Sequence, residues 1–324
     1  MVKLYREPGM LIETRKGASR RPGASVREKT LGVVDIGSNT VHLLVARTNG
    51  RHVEPLVDVS EGLRLGDDVH YDGALSVEKV EGLVDTLRRF RDQALREKAD
   101  GIHLLATQAV RMASNRAEVM AELEARLDVP VEVLTPEQEA EFAFLGADVA
   151  CPSVGPQVMI DIGGGSMQVA VGQNGEVWDS MSLPLGASRV ASQFLPSDPP
   201  TYLEEALLVT YLAQTIPPVL PLSDTNITGV LGVGGTLRRT PALLDLMVGE
   251  IYPKEAIEKM LVLVRGQATV DLAARYDLKP ERARLLMPAL LLLREVMEGY
   301  ENPPLIMSPY GVREGAILAL ARAR

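Results

Sequence analysis

Several residue types that commonly carry chemistry are scarce in this chain. Among 324 residues there is one cysteine, Cys151, one tryptophan and four phenylalanines, and aromatic residues make up 4%. A single cysteine excludes an internal disulfide and a cysteine-based zinc site, and it fits a buried thiol in a reducing compartment. The four histidines, His42, His52, His70 and His103, form no metal-ligand spacing. No Walker-type phosphate loop with its lysine occurs. The longest apolar run, Leu285 to Leu293, is too short to cross a bilayer and contains Pro288. Formal net charge is −9, so general attraction to nucleic acid or to a membrane surface is not expected. The N-terminus shows no apolar signal core, which makes the cytoplasm the expected location. The chemistry left to the chain is that of carboxylates, backbone amides and arginine.

What is present is a repeat. Val33-Val34-Asp35-Ile36-Gly37 recurs as Met159-Ile160-Asp161-Ile162-Gly163. The copies continue into small polar turns, Ser38-Asn39-Thr40 and Gly164-Gly165-Ser166, then apolar stretches, Val41–Val45 and Met167–Val171, then Asn49-Gly50 and Asn174-Gly175. This strand, turn, strand, Asn-Gly turn, strand unit implies two related domains. A buried strand ending in Asp and entering a Gly/Ser/Thr turn presents N–H groups and hydroxyls in a nest suited to phosphate oxygens. An Asp at such a strand end can hold a cation or its water shell. One such turn would read as an ordinary hairpin; two matched copies favour phosphate binding.

Around the repeat the chain alternates strands and helices. Residues 1–29 are rich in Arg, Lys, Gly and Pro and read as a mobile basic arm. Three strands form a meander over Leu31–Leu56, and a loop follows over Gly62–Gly73. Ser76 caps a helix with Val80, Leu83, Val84, Leu87 and Phe90 on one face. A strand over Gly101–Thr107, a helix over Arg116–Leu127, a strand over Val131–Leu134 and an acidic helix start at Pro136 complete an α/β domain with a mixed sheet. The second half begins near Pro152 with the repeated hairpin. A strand over Gly229–Val233 then enters a third glycine turn, Gly234-Gly235-Thr236, and the chain beyond it is mostly helical, including one helix over Pro280–Tyr300. The expected domains are 30–151 with 308–324, and 152–307.

Phosphoanhydride hydrolysis needs a positioned water, a carboxylate to orient it, and cations on the phosphoryl oxygens. Asp35 and Asp161 are metal-ligand candidates. Glu137, Glu139 and Glu141 all offer a base, although acidic residues also suit a helix N-terminus through the dipole alone. Arg64 and Arg111 can neutralise phosphate charge.

Six segments occur in order: Asp35–Thr40, Ala106–Asn115, Asp161–Ser166, Leu185–Arg189, Gly232–Thr236 and Gly311-Val312-Arg313-Glu314-Gly315. The set resembles the exopolyphosphatase / guanosine pentaphosphate phosphohydrolase (Ppx/GppA) family, from about Leu31 to the C-terminus. The resemblance implies two ribonuclease-H-like α/β domains of the actin-like ATPase superfamily, a ligand cleft between them, and additional helices in the second. It implies Mg²⁺- or Mn²⁺-assisted release of terminal phosphate from polyphosphate, or of the 5′ γ-phosphate from guanosine pentaphosphate, and a guanosine tetraphosphate product as a ligand; it also allows a homodimer. The place of the water-activating Glu falls on Glu139. Phosphate contacts fall on Gly37, Ser38, Asn39, Thr40, Arg111, Gly163, Gly164, Gly165, Ser166, Gly234, Gly235 and Thr236, and metal contacts on Asp35, Asp161 and, weakly, Gln168. Two departures stand out. Gln168 occupies the place of a metal-associated Glu, and Glu141 that of an Arg. They make a polyphosphate- or alarmone-binding sensor the alternative to an enzyme.

Overall fold

The computed structural model describes residues 28–222, 225–253 and 255–323. The expected basic arm therefore lies outside the described residues as far as residue 27, and Lys29 already opens the first strand. The chain divides into two compact units, Met1–Leu134 with Arg313–Arg324, and Thr135–Val312.

In the first unit, β1 (Lys29–Ile36), β2 (Val41–Thr48) and β3 (Val53–Glu61) form an antiparallel meander. Then follow α1 (Leu65–Tyr71), α2 (Val77–Arg96), β4 (Gly101–Ala106), α3 (Gln108–Met112), α4 (Arg116–Leu127) and β5 (Val131–Val133). The five strands lie in the order β3-β2-β1-β4-β5, with β4 parallel to β1 and β5 parallel to β4. Alternation sorts the side chains onto two faces. Val34, Ile36, Val41, Leu43, Val45, Ile102 and Leu104 pack with Leu83, Val84, Leu87 and Phe90 of α2 and with Val119 and Leu123 of α4. The register puts Asp35, His42 and Ser60, and one step along Val33, Leu44 and Asp58, on the opposite face. The Ser76 hydroxyl accepts from Lys79 N–H and caps α2, as its sequence position predicts. The loop expected over Gly62–Gly73 contains α1, a helix too short to show a period and anchored by the fully buried Leu65.

The second unit opens with α5 (Pro136–Ala150), then β6 (Gln157–Ile162), β7 (Met167–Gln173) and β8 (Glu176–Leu183). Next come α6 (Ala187–Phe194), α7 (Tyr202–Thr215), β9 (Gly229–Val233), β10 (Ile251–Tyr252), α8 (Ala256–Val264), α9 (Thr269–Arg275), α10 (Pro280–Ala283), α11 (Leu286–Gly299) and β11 (Leu305–Met307). Helix α12 (Val312–Arg322) closes the chain, and from Arg313 onward it groups with the first unit. The second sheet has the order β10-β11-β9-β6-β7-β8. Read from β8, its first five strands repeat the order of the first sheet, so the duplication in sequence is a duplication of two ribonuclease-H-like units. Helices account for the difference, since α6 to α11 lie in the second unit. Their buried side chains join Val158, Ile160, Met167 and Val169 in one large core.

Three details depart from the sequence reading. Helix α5 belongs with the second sheet, whereas the expected boundary at residue 151 put it in the first domain. Its Ala140, Ala143, Phe144 and Ala147 pack on Met159, Ala170, Leu231 and Val233. The helix expected over Pro280–Tyr300 is broken between Ala283 and Leu286. Pro288 lacks the N–H that would bond back into that turn, and its ring crowds the carbonyl four residues earlier. The two Asn-Gly pairs also differ. Asn174 (φ 56°) and Gly175 (φ 77°) form a two-residue hairpin turn of the mirror-image type, whereas Asn49-Gly50 sits in a longer loop tied by the Thr48 hydroxyl to Gly50 N–H and His52 C=O.

Phe144 is fully buried between α5 and the second sheet, whereas Val154 is fully exposed. Phe144→Ala is expected to cost about 3–5 kcal/mol, and Val154→Ala less than about 0.5 kcal/mol. Urea denaturation midpoints check both.

Candidate functional site

The two repeated turns share one construction. Gly37 N–H donates to Thr40 C=O at 3.2 Å, and Gly163 N–H donates to Ser166 C=O at 3.0 Å. Each turn is also held from one side by the segment that follows its meander. In the first, Ser38 C=O accepts from Gly66 N–H at 2.7 Å and Asn39 C=O from Arg64 N–H at 2.9 Å. In the second, Gly163 C=O accepts from Ala187 N–H at 2.9 Å, and Gly164 C=O from Ser188 and Arg189 N–H at 3.0 and 3.1 Å. A trans peptide points its C=O and the next N–H in opposite directions. The N–H groups of Asn39 and Thr40, and of Gly164 and Gly165, therefore point away from the holding segments. This is the donor arrangement a phosphate oxygen requires.

The contact at the second turn is close enough to demand glycine. A Cβ on Gly186 would stand 2.3 Å from the carbonyl carbon and oxygen of Gly164. This gives the Leu185–Arg189 segment a physical role, which is to press backbone on backbone and orient the turn.

Behind each turn stands its strand-end carboxylate. Asp35 lies directly across from His42, and Asp161 directly across from Gln168, so these are equivalent positions of the repeat. Gln168 is 1% exposed, and its Nε2 donates to the Ser166 hydroxyl at 3.0 Å and the Ser182 hydroxyl at 3.5 Å. Its amide thus braces the end of the second turn. In the first unit Thr107 N–H and Oγ1 both donate to Ile36 C=O, at 3.1 and 3.2 Å, so α3 starts beside the first turn. Arg111 on α3 is half-buried, with Nη1 donating to Leu134 C=O at 2.6 Å.

The third turn abuts the second carboxylate. Gly234 has φ 112°, and a Cβ there would lie 2.6 Å from Ile162 C=O and 3.2 Å from Asp161 Oδ1. Thr236 is buried. A short 3₁₀ helix, Leu237–Leu244, follows. Three arginines gather here that the sequence reading did not single out. Arg282 of α10 brings Nη1 to 2.9 Å from the place of a Gly235 Cβ. Arg238 and Arg239 follow the turn directly, and Arg238 Nη1 donates to Pro309 C=O at 2.8 Å. Burial, with the charges of Arg239 and Arg238, holds the Arg282 guanidinium below its ordinary range. No ion pair joins any of the three to a carboxylate among the described residues. Arg238-Arg239 was visible in sequence beside the turn; Arg282 carried no signal, because only the fold brings α10 there.

Glu139 sits in the first turn of α5 and is 8% exposed. A capping box fixes this helix start: Thr135 Oγ1 accepts from Gln138 N–H at 3.2 Å, and the Gln138 side chain accepts from Thr135 N–H at 2.8 Å. Gln157 Nε2 donates to Cys151 C=O at 3.3 Å, and Leu145 and Asp148 lie against the Asn174-Gly175 turn. These contacts run α5 antiparallel to β6, so Glu139 stands at the same end of the unit as Asp161. Glu141 is half-buried, and its carboxyl is pushed up by burial and by the charge of Glu137. In the second unit the structure thus gathers Asp161, Gln168, the second and third turns and Glu139 at one end. In the first it gathers Asp35, the first turn and the start of α3. Among the described residues no group of three or more His, Cys, Asp or Glu side chains is placed to hold a metal ion, and no helix is long and apolar enough to cross a membrane.

The model of the Ppx/GppA phosphatase family matches residues 44–323. Exopolyphosphatase 1 of Mycobacterium tuberculosis is 28% identical over 299 residues, which cover 89% of this chain and 87% of that protein. The guanosine-5′-triphosphate,3′-diphosphate pyrophosphatase of Vibrio cholerae is 22% identical over 306 residues, covering 92% of this chain and 60% of that protein. The fold is that of the Aquifex aeolicus Ppx/GppA family member, with a TM-score of 0.81 at 24% identity over 90% of this chain and 97% of the other.

The close approach at Gly186 has a measurable consequence. Gly186→Ala is expected to destabilise the protein by about 1–3 kcal/mol through overpacking and to speed amide hydrogen exchange through the second turn. Gly62→Ala, with nothing within 4 Å of its new methyl, is expected to change neither. Denaturation and exchange measured by mass spectrometry check this pair.

Proposed function

The chain belongs to the Ppx/GppA phosphatase family and is a hydrolase, and on that premise we propose that it releases terminal phosphate from inorganic polyphosphate. Guanosine pentaphosphate, losing its 5′ γ-phosphate, is the second substrate. The order follows the relatives, because the match to the exopolyphosphatase spans most of both proteins. The observation that carries the reading is the pair of turns whose outer carbonyls are taken by a holding segment. In each, two successive N–H groups point away from that segment, the orientation in which backbone amides can meet phosphate oxygens.

In this reading the turns at Gly37–Thr40, Gly163–Ser166 and Gly234–Thr236 cradle phosphate oxygens. Arg111 and the cluster of Arg238, Arg239 and Arg282 offset phosphate charge. Glu139 orients the attacking water: the water oxygen bonds to phosphorus, the bridging P–O bond breaks, and Glu139 takes the proton the water loses. A buried position at a helix start fixed by the cap of Thr135 and Gln138 sets the backbone that carries this carboxylate. Asp35 or Asp161 would hold Mg²⁺ or Mn²⁺, since a single carboxylate is a donor set that suits such an ion together with a phosphate substrate. Among the described residues no all-protein cage is built. When bound, the ion would supply charge neutralisation on the phosphoryl oxygens. Gln168 can add no more than a neutral amide oxygen.

Gln168 also favours a second reading, a protein that holds polyphosphate or a guanosine alarmone and cuts it slowly, since a braced neutral amide stands where the repeat pairs its carboxylate. Phosphate release from long polyphosphate, short polyphosphate, guanosine pentaphosphate and ATP, with and without Mg²⁺, separates the two. Turnover supports the hydrolase, whereas tight binding without turnover supports the sensor.

Two variants sharpen the test. Glu139→Gln is expected to lower phosphate release at least about 100-fold while polyphosphate binding stays within about threefold. Undiminished release would remove Glu139 from its role. Arg239→Glu reverses a charge on an exposed residue and is expected to raise KM for long polyphosphate several-fold with kcat nearly unchanged. The effect should shrink as salt rises, through screening.

A further inference from the structure

The Gly311–Gly315 segment has no part in the chemistry described so far, yet it carries two charged residues that are almost completely buried. Arg313 is 6% exposed and Glu314 5% exposed. Arg313 Nη1 donates to Asp58 Oδ1 at 2.5 Å, and its Nη2 lies 3.8 Å from Glu314 Oε1. Both residues lie in the first turn of α12. Lys29 Nζ reaches Ala321 C=O at 3.5 Å, and Arg322 Nε reaches Gly50 C=O at 2.7 Å. These contacts run α12 antiparallel to β1, so its first turn stands at the end of the sheet where β1 enters the phosphate-facing turn.

The sheet register decides what Arg313 meets there. Asp35 pairs with His42, which pairs with Ser60, and Leu44 pairs with Asp58. Directly paired residues share a face, as do residues two apart on a strand. Asp35 and Asp58 are therefore on one face, the face that Arg313 touches. The charges of Glu314, Asp58 and Asp35 together outweigh burial and hold the guanidinium above its ordinary range.

We propose that Arg313 is a positioning residue, which anchors on Asp58 and holds the Asp35 carboxylate in place behind the first turn. The inference deepens the hydrolase reading and rests on it, because it gives Asp35 its catalytic importance. The two units then differ in a defined way. At the matching helix start, α5 presents the carboxylate Glu139 at the end that carries Asp161, whereas α12 presents a guanidinium on the face that carries Asp35. One unit supplies the base and the other a carboxylate held by its own counter-ion.

Removing one member of a buried ion pair leaves the other uncompensated, so a single variant can fail through misfolding. The test therefore uses four proteins: wild type, Asp58→Asn, Arg313→Lys, and the doubly neutral Arg313→Met/Asp58→Asn. Melting temperature, kcat and KM for long polyphosphate are measured for each. The double variant still removes the cation beside the buried Glu314, so its melting temperature is expected to fall by several degrees, and its kcat, measured well below that temperature, by at least tenfold with KM within about threefold. Asp58→Asn keeps the cation, and a kcat within about threefold of wild type is expected. Arg313→Lys keeps the charge but loses the planar fork, and an intermediate kcat is expected. A purely structural ion pair predicts instead that the double variant keeps its turnover below its melting temperature, and a kcat within twofold of wild type would overturn the proposal. A wild-type protein that turns over none of the substrates would overturn the hydrolase reading, and this inference with it.

Discussion

The arrangement of this protein depends on a few backbone hydrogen bonds that take carbonyls away from a turn. A glycine-rich turn has as many acceptors as donors, and left alone it presents both to a ligand. Here Gly66 and Arg64 occupy the carbonyls of Ser38 and Asn39, while Ala187, Ser188 and Arg189 occupy those of Gly163 and Gly164. Peptide planarity then turns the following N–H groups the other way. Repulsive oxygens face the protein and donors face outward, without any lysine in either turn. Under the proposed function, this is how an acidic chain receives a polyanion locally while its overall charge discourages indiscriminate binding.

The same construction occurs twice, but the helices laid over the equivalent faces differ. Helix α5 packs through alanines and Phe144 and brings Glu139 to the end near Asp161. Helix α12 brings Arg313 and Glu314 to the end near Asp35. The duplicated strand and turn thus carry different charged groups in the two units. Gln168 and His42, at matching positions across from the two aspartates, are a second asymmetry of the same kind.

Much of this was legible in the chain because it depends on neighbours in sequence. The repeat, the Ser76 cap, the bounds of α4 and the strand Gly229–Val233 follow from local periodicity and capping. So did the candidate turns, since a strand-end Asp followed by small residues is a contiguous pattern. Other parts were not legible. The Gly62–Gly73 segment showed no apolar period, and what it contributes to the first turn is two backbone N–H groups, of Arg64 and Gly66, which no side-chain pattern announces. Pro288 was in plain view, but the break it imposes falls several residues earlier, where the sequence reads as continuous helix.

The sequence by itself determined the duplication, the order of elements, the family and the small group of side chains capable of phosphate chemistry, because each is written in adjacent residues or in their order. Tertiary structure alone decided which sheet owns α5, which guanidinium lies against Gly235, and that Arg313 is buried on the face that carries Asp35. Those facts depend on packing between segments far apart in the chain. Arg282 and Gly235 become neighbours only when α10 is laid beside the third turn, and a buried arginine looks like any surface arginine until the fold removes water from it.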